Sequence, residues 1–121
     1  MALLVIDTCL AACQVGVFKA GRLVFGLSEP MERGHQERLA PMAAEVMAAA
    51  KLAFADLTKI AVTVGPGSFT GLRVGLAFAK TMALALGRPC VGVGTLEALA
   101  LSAGPGFVAA ILLSGIDERM R

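Results

Sequence analysis

Two short β-branched runs separated by one long helical run constrain the fold of this chain more than any other feature. The first run, KIAVTV, ends at Val64, and the second spans Cys90 to Val93. Between them the apolar pattern is helical from about Thr70 to Leu86, and Gly87 with Pro89 two residues later signals the end of a helix. A strand, a helix and a strand in this order form a crossover between parallel strands. The sequence therefore predicts a parallel part of a sheet covered by a helix.

The residues before this unit predict an antiparallel meander of three strands. The first strand is ALLVID, the second runs from Cys13 to Lys19, and the third from Arg22 to Ser28. Ala20 and Gly21 supply the turn between the last two strands, and Pro30 is expected to end the third. The chain thus enters its sheet through adjacent strands joined by short turns.

The remaining elements are helices that complete a layered α/β fold. An amphipathic helix is predicted from roughly Gln36 to Phe54, and a last helix with Thr95 as its N-cap follows the fifth strand. The order βββαβαβα predicts a mixed sheet with helices packed on it, and residues 1–104 are interpreted as one lobe. After a GPG segment the run FVAAIL resembles a new first strand, so residues 105–121 are interpreted as the start of an incomplete second lobe.

Composition favours a protein that works with a partner. Hydrophobic residues make up 57% of the 121 residues, above the ~45–50% that is usual in soluble domains, so part of the apolar surface is expected to need covering by another chain. The net charge is only +2 and the chain has no Trp or Tyr. Direct nucleic-acid binding by this chain alone is therefore disfavoured.

Cysteine usage and the ends of the apolar segments indicate a cytoplasmic protein. Cys9, Cys13 and Cys90 form neither a CxxC pair nor a zinc-type set of four, and they are interpreted as small core residues in a reducing compartment. The N-terminal run has no basic segment and contains Asp7, which argues against a signal peptide. The longest uncharged run, residues 98–116, is interrupted by GPG and is too short for a membrane span.

Catalytic groups are scarce in this sequence. His35 is the single histidine and stands just before the first predicted helix. One histidine cannot supply the paired ligands of a typical zinc site, and Ser68 lies far from it in sequence, which disfavours a hydrolytic triad. Metal-dependent and acyl-transfer catalysis by this chain are both disfavoured, and no metal site is predicted.

The glycine-rich segment GPGSFTGLRVG, residues 65–75, leaves two functional interpretations open. It lacks the lysine of a phosphate-binding P-loop and the spacing of a dinucleotide loop. A helix N-terminus nevertheless exposes N–H groups that can hold an anion, and an aspartate at the end of a first strand can orient a phosphate or a metal-bound water. The alternative for this aspartate is a turn-stabilising role. The candidate anion or nucleotide site consists of Asp7, Thr8, Gly65, Gly67 and Ser68.

The second predicted helix carries two stripes of different size. Small residues recur every four positions at Gly71, Gly75, Ala79 and Ala83. A neighbouring stripe is bulkier and contains Val74, Phe78, Met82 and either Ala85 or Leu86. The bulky stripe is expected to pack on the sheet. The small stripe would then be free to meet the first helix, a second protein chain, or both.

Four segments of the chain together resemble one known family. VIDTCLAACQVGVF, GHQERLAPM, VTVGPGSFTGLRVGLAFAK and GVGTLEALA are similar to segments of the TsaB (YeaZ) family of bacterial tRNA threonylcarbamoyladenosine biosynthesis proteins, over roughly Leu3 to Leu101. This family is related to TsaD, which was formerly described as a glycoprotease. The resemblance implies a lobe of the actin, sugar-kinase and heat-shock ATPase fold, which is ribonuclease H-like.

The resemblance also implies a function without catalysis by this chain. The expected role is a scaffold or activator in the complex that forms N6-threonylcarbamoyladenosine at position 37 of tRNA, through helix-mediated dimerisation with TsaD. A TsaE-like ATPase, a homodimer in isolation, and tRNA contact only through the complex are implied as well. The implied partner-contacting residues lie on the first two helices: Leu39, Met42, Ala43, Val46, Ala50, Arg73, Gly75, Leu76 and Ala79.

A non-catalytic scaffold is expected to have no resident cofactor. Two enzymatic alternatives stay open. The first is an ATP-binding phosphotransferase or ATPase of the same fold, which would use ATP or ADP with Mg²⁺ at Asp7 and the glycine-rich segment. The second is a glycoprotease-like peptidase.

Overall fold

A five-stranded mixed sheet with the strand order β3-β2-β1-β4-β5 forms the centre of the molecule. The computed structural model describes residues 2–8, 12–19, 22–30, 34–64 and 69–93. The predicted helix after Thr95, the apolar run of residues 107–112 and the two-lobe division lie wholly or partly outside the described residues. What is described is the sheet with its two long helices.

The predicted antiparallel meander is confirmed. Strand β1 (Ala2–Asp7) pairs with β2 (Ala12–Lys19), which pairs in turn with β3 (Arg22–Pro30). Strand β3 continues to Pro30, beyond the predicted end at Ser28, and Pro30 pairs with the first residue of β2. Proline is tolerated there because it is the last residue of an edge strand and its missing N–H interrupts no further pairing.

The predicted parallel crossover is also confirmed. Strand β4 (Leu57–Thr63) lies parallel to β1, and β5 (Cys90–Val93) lies parallel to β4. Helix α2 (Phe69–Leu86) connects them and ends as expected at Gly87, which has a φ of 65°. Glycine adopts this left-handed conformation without steric cost, so the helix stops there and the chain turns into β5.

Helix α1 (His35–Ala49) is shorter than the sequence predicts. The expected end at Phe54 is wrong, because Lys51 takes a left-handed conformation with a φ of 57° and turns the chain out of the helix. The amide of Leu52 closes this turn by donating to the carbonyl of Met47 at 3.1 Å. A single 3-10 turn, Phe54–Asp56, then leads into β4.

Both helices pack on the same face of the sheet. Alternate residues of β1, Leu4 and Ile6, are fully buried against them, as are Val15 and Val17 of β2. Each such side chain contributes about 1.5–3 kcal/mol when it leaves water. On the opposite face Leu3 and Val5 are buried too. Strand β1 is therefore buried on both sides, which explains why its sequence is a continuous apolar run rather than an alternating one.

Candidate functional site

The small stripe of α2 faces the sheet, and the bulky stripe does not. Ala79 and Ala83 are 0% and 5% exposed, and Gly71 and Gly75 are buried as well. The bulky residues Val74, Phe78, Met82 and Leu86 are only half-buried. The expectation that the bulky stripe covers the sheet is therefore wrong.

The reason for this orientation is a close contact between α2 and the end of β1. The hydroxyl of Thr8 donates a hydrogen bond to the carbonyl oxygen of Gly71 at 2.6 Å, and Thr8 is completely buried. A methyl group at Gly75 would overlap this hydroxyl and would lie 3.3 Å from the Thr8 Cβ atom. Only a helix without side chains at this point can approach the strand so closely.

Asp7 and Thr8 of the candidate anion site already form hydrogen bonds within the chain. Asp7 is 2% exposed, and its Oδ1 atom accepts a hydrogen bond from the Thr63 hydroxyl at 2.7 Å. The Thr8 hydroxyl is already used by α2. A phosphate needs donors rather than a buried carboxylate, so Asp7 and Thr8 do not fit a directly bound nucleotide phosphate. Gly65, Gly67 and Ser68 lie outside the described residues.

The described residues hold no group of three or more His, Cys, Asp or Glu side chains that could bind a metal ion. Neither described helix is long and apolar enough to cross a membrane. Cys13 is a buried core residue, as expected, and burial raises the pKa of its thiol to about 11. Cys90 is half-buried, and Cys9 lies outside the described residues.

A groove lies between α1 and α2. Its volume is about 400 Å³. The apolar lining comes from one residue of α1 and three of α2, and polar side chains stand among them. The lining residues are Gln36, Leu39, Arg73, Val74, Ala77, Phe78 and Thr81. Because it is open and largely apolar, the groove can accept the side chains of another protein segment.

Helix α1 also carries a row of small exposed side chains that continues from the groove residue Gln36. Ala40, Ala44 and Ala48 are exposed at intervals of four residues, which places them along one side of the helix. On α2, Ala77 and Thr81 are exposed in the same region. A surface of alanine and threonine lets a second helix come close.

The implied interface residues divide into two groups. Six of them are buried in the core of this chain: Leu39, Met42, Ala43, Val46, Gly75 and Ala79. Ala50 and Leu76 are half-buried, and Arg73 is exposed. Of the nine, only Leu39 and Arg73 line the groove.

Sequence reasoning missed Gln36, Ala77 and Thr81 as lining residues, and it placed Val74 and Phe78 on the wrong side. The two stripes of α2 contained the signal that could have identified these lining residues. Once the small stripe is assigned to the sheet, the next stripe of α2 must face α1 and solvent.

An ion-pair cluster fixes α1 to the edge strand β3. The guanidinium of Arg38 contacts Glu29 of β3 at 2.6 Å and Glu45 of its own helix at 3.2 Å. The hydrogen bond from Arg38 holds the pKa of Glu29 below its ordinary value of 4.5, and the two carboxylates raise the pKa of Arg38. This cluster of Arg38, Glu29 and Glu45, called the Arg38 clamp below, lies on the side of α1 that faces β3. It therefore holds the helix without occupying the groove.

The fold defines the class of protein first. The sheet and helices match the fold of a ROK hexokinase from Thermus thermophilus with a TM-score of 0.57 at 25% identity, over 84% of this chain and 36% of that one. They match the fold of RuvC from the same organism with a TM-score of 0.55 at 20% identity, over 85% of this chain and 71% of that one. The described part of the chain has the actin-like ATPase, ribonuclease H-like fold.

Sequence comparison then defines the family. The family model of TsaD, tRNA N6-adenosine threonylcarbamoyltransferase, matches residues 28–116, so the chain belongs to this family. Within it, the chain is 37% identical to the tRNA threonylcarbamoyladenosine biosynthesis protein TsaB of Buchnera aphidicola, over 98% of this chain and 56% of that protein. YeaZ from Pseudomonas aeruginosa has the same fold with a TM-score of 0.79 at 36% identity, over 83% of this chain and 46% of that one.

A shorter match connects the chain to the transferase itself. The chain is 50% identical over 70 residues to the tRNA N6-adenosine threonylcarbamoyltransferase of Erythrobacter litoralis. These residues make up 58% of this chain and 20% of that protein. The chain spans about half the length of the TsaB proteins that it matches.

Proposed function

We propose that this chain acts as a non-catalytic scaffold in the formation of N6-threonylcarbamoyladenosine at position 37 of tRNA, and that the α1–α2 groove docks a TsaD-like catalytic subunit. The observation that carries the proposal is the groove itself, a largely apolar groove of about 400 Å³ between two helices, whose lining includes the exposed Ala77. Helix-in-groove docking is a common way for proteins to use such a surface.

The choice of a TsaD-like partner rests on relatedness and on surface chemistry. A threonylcarbamoyltransferase is 50% identical to this chain over 70 residues. The matching part of that transferase is therefore expected to present a similar helix pair. Two such pairs can pack through their small residues, each placing side chains in the groove of the other. Arg73 at the groove gives this contact a charged position that can select the orientation of the partner.

Catalysis is assigned to the partner because this sequence offers few reactive groups. His35 is the only histidine of the chain, and metal centres in hydrolytic and transfer enzymes typically use several such ligands. A TsaE-like ATPase and the tRNA would join through the complex in the cytoplasm. A second copy of this chain is a competing occupant of the same groove.

A blocked groove tests the proposal. Ala77 is exposed and lines the groove, so Ala77→Trp should fill it and weaken binding to the TsaD subunit of the same organism by ~30-fold or more, the effect of a hot-spot position. Ala55→Trp is the matched control, because Ala55 is an exposed alanine outside the groove. Light scattering of each variant with and without TsaD reports the mass of the complex. Equal binding by the two variants, or no complex with the unmodified chain, would sink the proposal.

A further inference from the structure

The contact between β1 and α2 connects two sequence motifs that the proposed function leaves unexplained. Thr8 closes the segment VIDT, and Gly71 and Gly75 belong to the glycine-rich segment that begins α2. We propose that Thr8 is a positioning residue for the α1–α2 groove: its buried hydroxyl, seated against Gly71 and Gly75, fixes the place of α2 on the sheet and thereby the separation of the groove walls. The inference rests on the proposed function because it takes the groove to be the partner site.

The geometry of Thr8 is that of an anchor. Its hydroxyl reaches the Gly71 carbonyl oxygen at 2.6 Å across 63 residues of sequence, and it is fully buried. A helical carbonyl uses one lone pair for the amide four residues later and keeps a second one for another donor. Since a buried hydroxyl without a partner is costly, the position in which this bond forms is strongly preferred.

The missing side chain of Gly75 leaves a notch in the surface of α2 opposite Thr8. Gly75 is one helical turn after Gly71, and any side chain there would collide with the Thr8 hydroxyl. The hydroxyl therefore occupies space that the helix leaves free. This combination of a hydrogen bond and a notch restricts both sliding and rotation of α2.

The other sheet-facing contacts of α2 cannot set its position equally well. Ala79 and Ala83 are buried apolar residues, and apolar burial has no directional preference. Thr8, by contrast, makes a buried side-chain hydrogen bond from the end of β1 to the backbone of α2. It thus adds a directional contact to the apolar packing of Ala79 and Ala83 on the sheet.

The groove wall is directly connected to this anchor. Val74 precedes Gly75, and Phe78 follows one turn later; both line the groove. A rotation of α2 that frees the Thr8 hydroxyl must carry these two side chains toward or away from Leu39 of α1. In a close-packed interior such a movement changes the shape of the groove rather than being absorbed locally.

Thr8→Val tests the inference, with Thr8→Ser and Thr58→Val as controls. Valine keeps the shape of threonine and removes the hydroxyl, whereas serine keeps the hydroxyl. The hydroxyl of Thr58 also donates to a backbone carbonyl, that of Ala2 at 3.1 Å, but this bond joins two strands and involves no helix. Thr8→Ala replaces Thr8→Val if the valine variant does not fold. The readouts are amide hydrogen exchange over residues 71–78 and the Kd for the purified TsaD subunit of the same organism.

We expect Thr8→Val to speed exchange in residues 71–78 and to weaken TsaD binding, each by about tenfold, the scale of one hydrogen bond. Thr8→Ser should restore both values to within about twofold, and Thr58→Val should change neither. The inference is overturned if Thr8→Val and Thr58→Val behave alike. It is also overturned if Thr8→Val speeds exchange but leaves TsaD binding unchanged. If the unmodified chain does not bind TsaD at all, the proposed function fails, and the exchange data alone decide whether Thr8 anchors α2.

Discussion

Gly75 shows how one residue can determine which side of a helix is buried. Glycine inside a helix costs ~1 kcal/mol relative to alanine, so its presence in the middle of α2 needs a compensating contact. The structure supplies that contact in the buried Thr8 hydroxyl, which would collide with any side chain at Gly75. The sequence indicated that a close approach occurs at this glycine. It could not indicate that the approaching group is Thr8, because 67 positions separate the two residues.

At the same scale, the Arg38 clamp predicts a pH dependence. Arg38 lowers the pKa of Glu29 below 4.5 in the folded chain, so Glu29 holds fewer protons in the folded state than in the unfolded state at acidic pH. A lowered pKa contributes stability that is present above the ordinary pKa and lost as pH falls through the folded value. We therefore expect the stability difference between the unmodified chain and Glu29→Gln to be constant near neutral pH and to shrink below about pH 4.5.

Thermal unfolding of both proteins between pH 3 and pH 7 measures this difference. Glu37→Gln is a suitable control, because Glu37 is exposed on α1 next to Arg38 and forms no ion pair with the other described residues. A difference between Glu29→Gln and the unmodified chain that does not change with pH would contradict the role given to Arg38.

The elements show where sequence reasoning succeeds and where it fails. Strands β1 and β5 begin and end at the predicted residues, since apolar runs bounded by turn residues are strong signals. The orientation of α2 was predicted wrongly, because both of its stripes are apolar and periodic. Their relative depth depends on the Thr8 contact, which is a long-range property. The implied interface residues Met42 and Val46 came from the family resemblance instead, and both are buried in the core.

One substitution at two neighbouring positions tests the orientation of α2. Ala79 is fully buried against the sheet, whereas Ala77 is exposed beside the groove. Ala79→Leu should overpack the interface and lower the free energy of unfolding by about 1–3 kcal/mol. Ala77→Leu should change it by no more than about 0.5 kcal/mol. Urea denaturation gives both values, and the opposite order would mean that α2 presents its other side to the sheet.

At the scale of the whole molecule, the class of fold and the family were predictable from short motifs. The strand order β3-β2-β1-β4-β5 follows from a meander and one parallel crossover, which allow few arrangements. The partner surface was not predictable to the same degree. It is a shape formed between two helices, and its lining depends on how both of them rotate on the sheet.

Hydrogen exchange of the chain with and without the TsaD subunit of the same organism tests most directly whether TsaD docks in the α1–α2 groove. Docking in the groove predicts slower exchange in residues 35–40 of α1 and 73–81 of α2 when TsaD is added, with little change along β3 and β5. Protection confined to a strand edge, or no protection anywhere in a complex that does form, would contradict the proposal that the groove binds the partner.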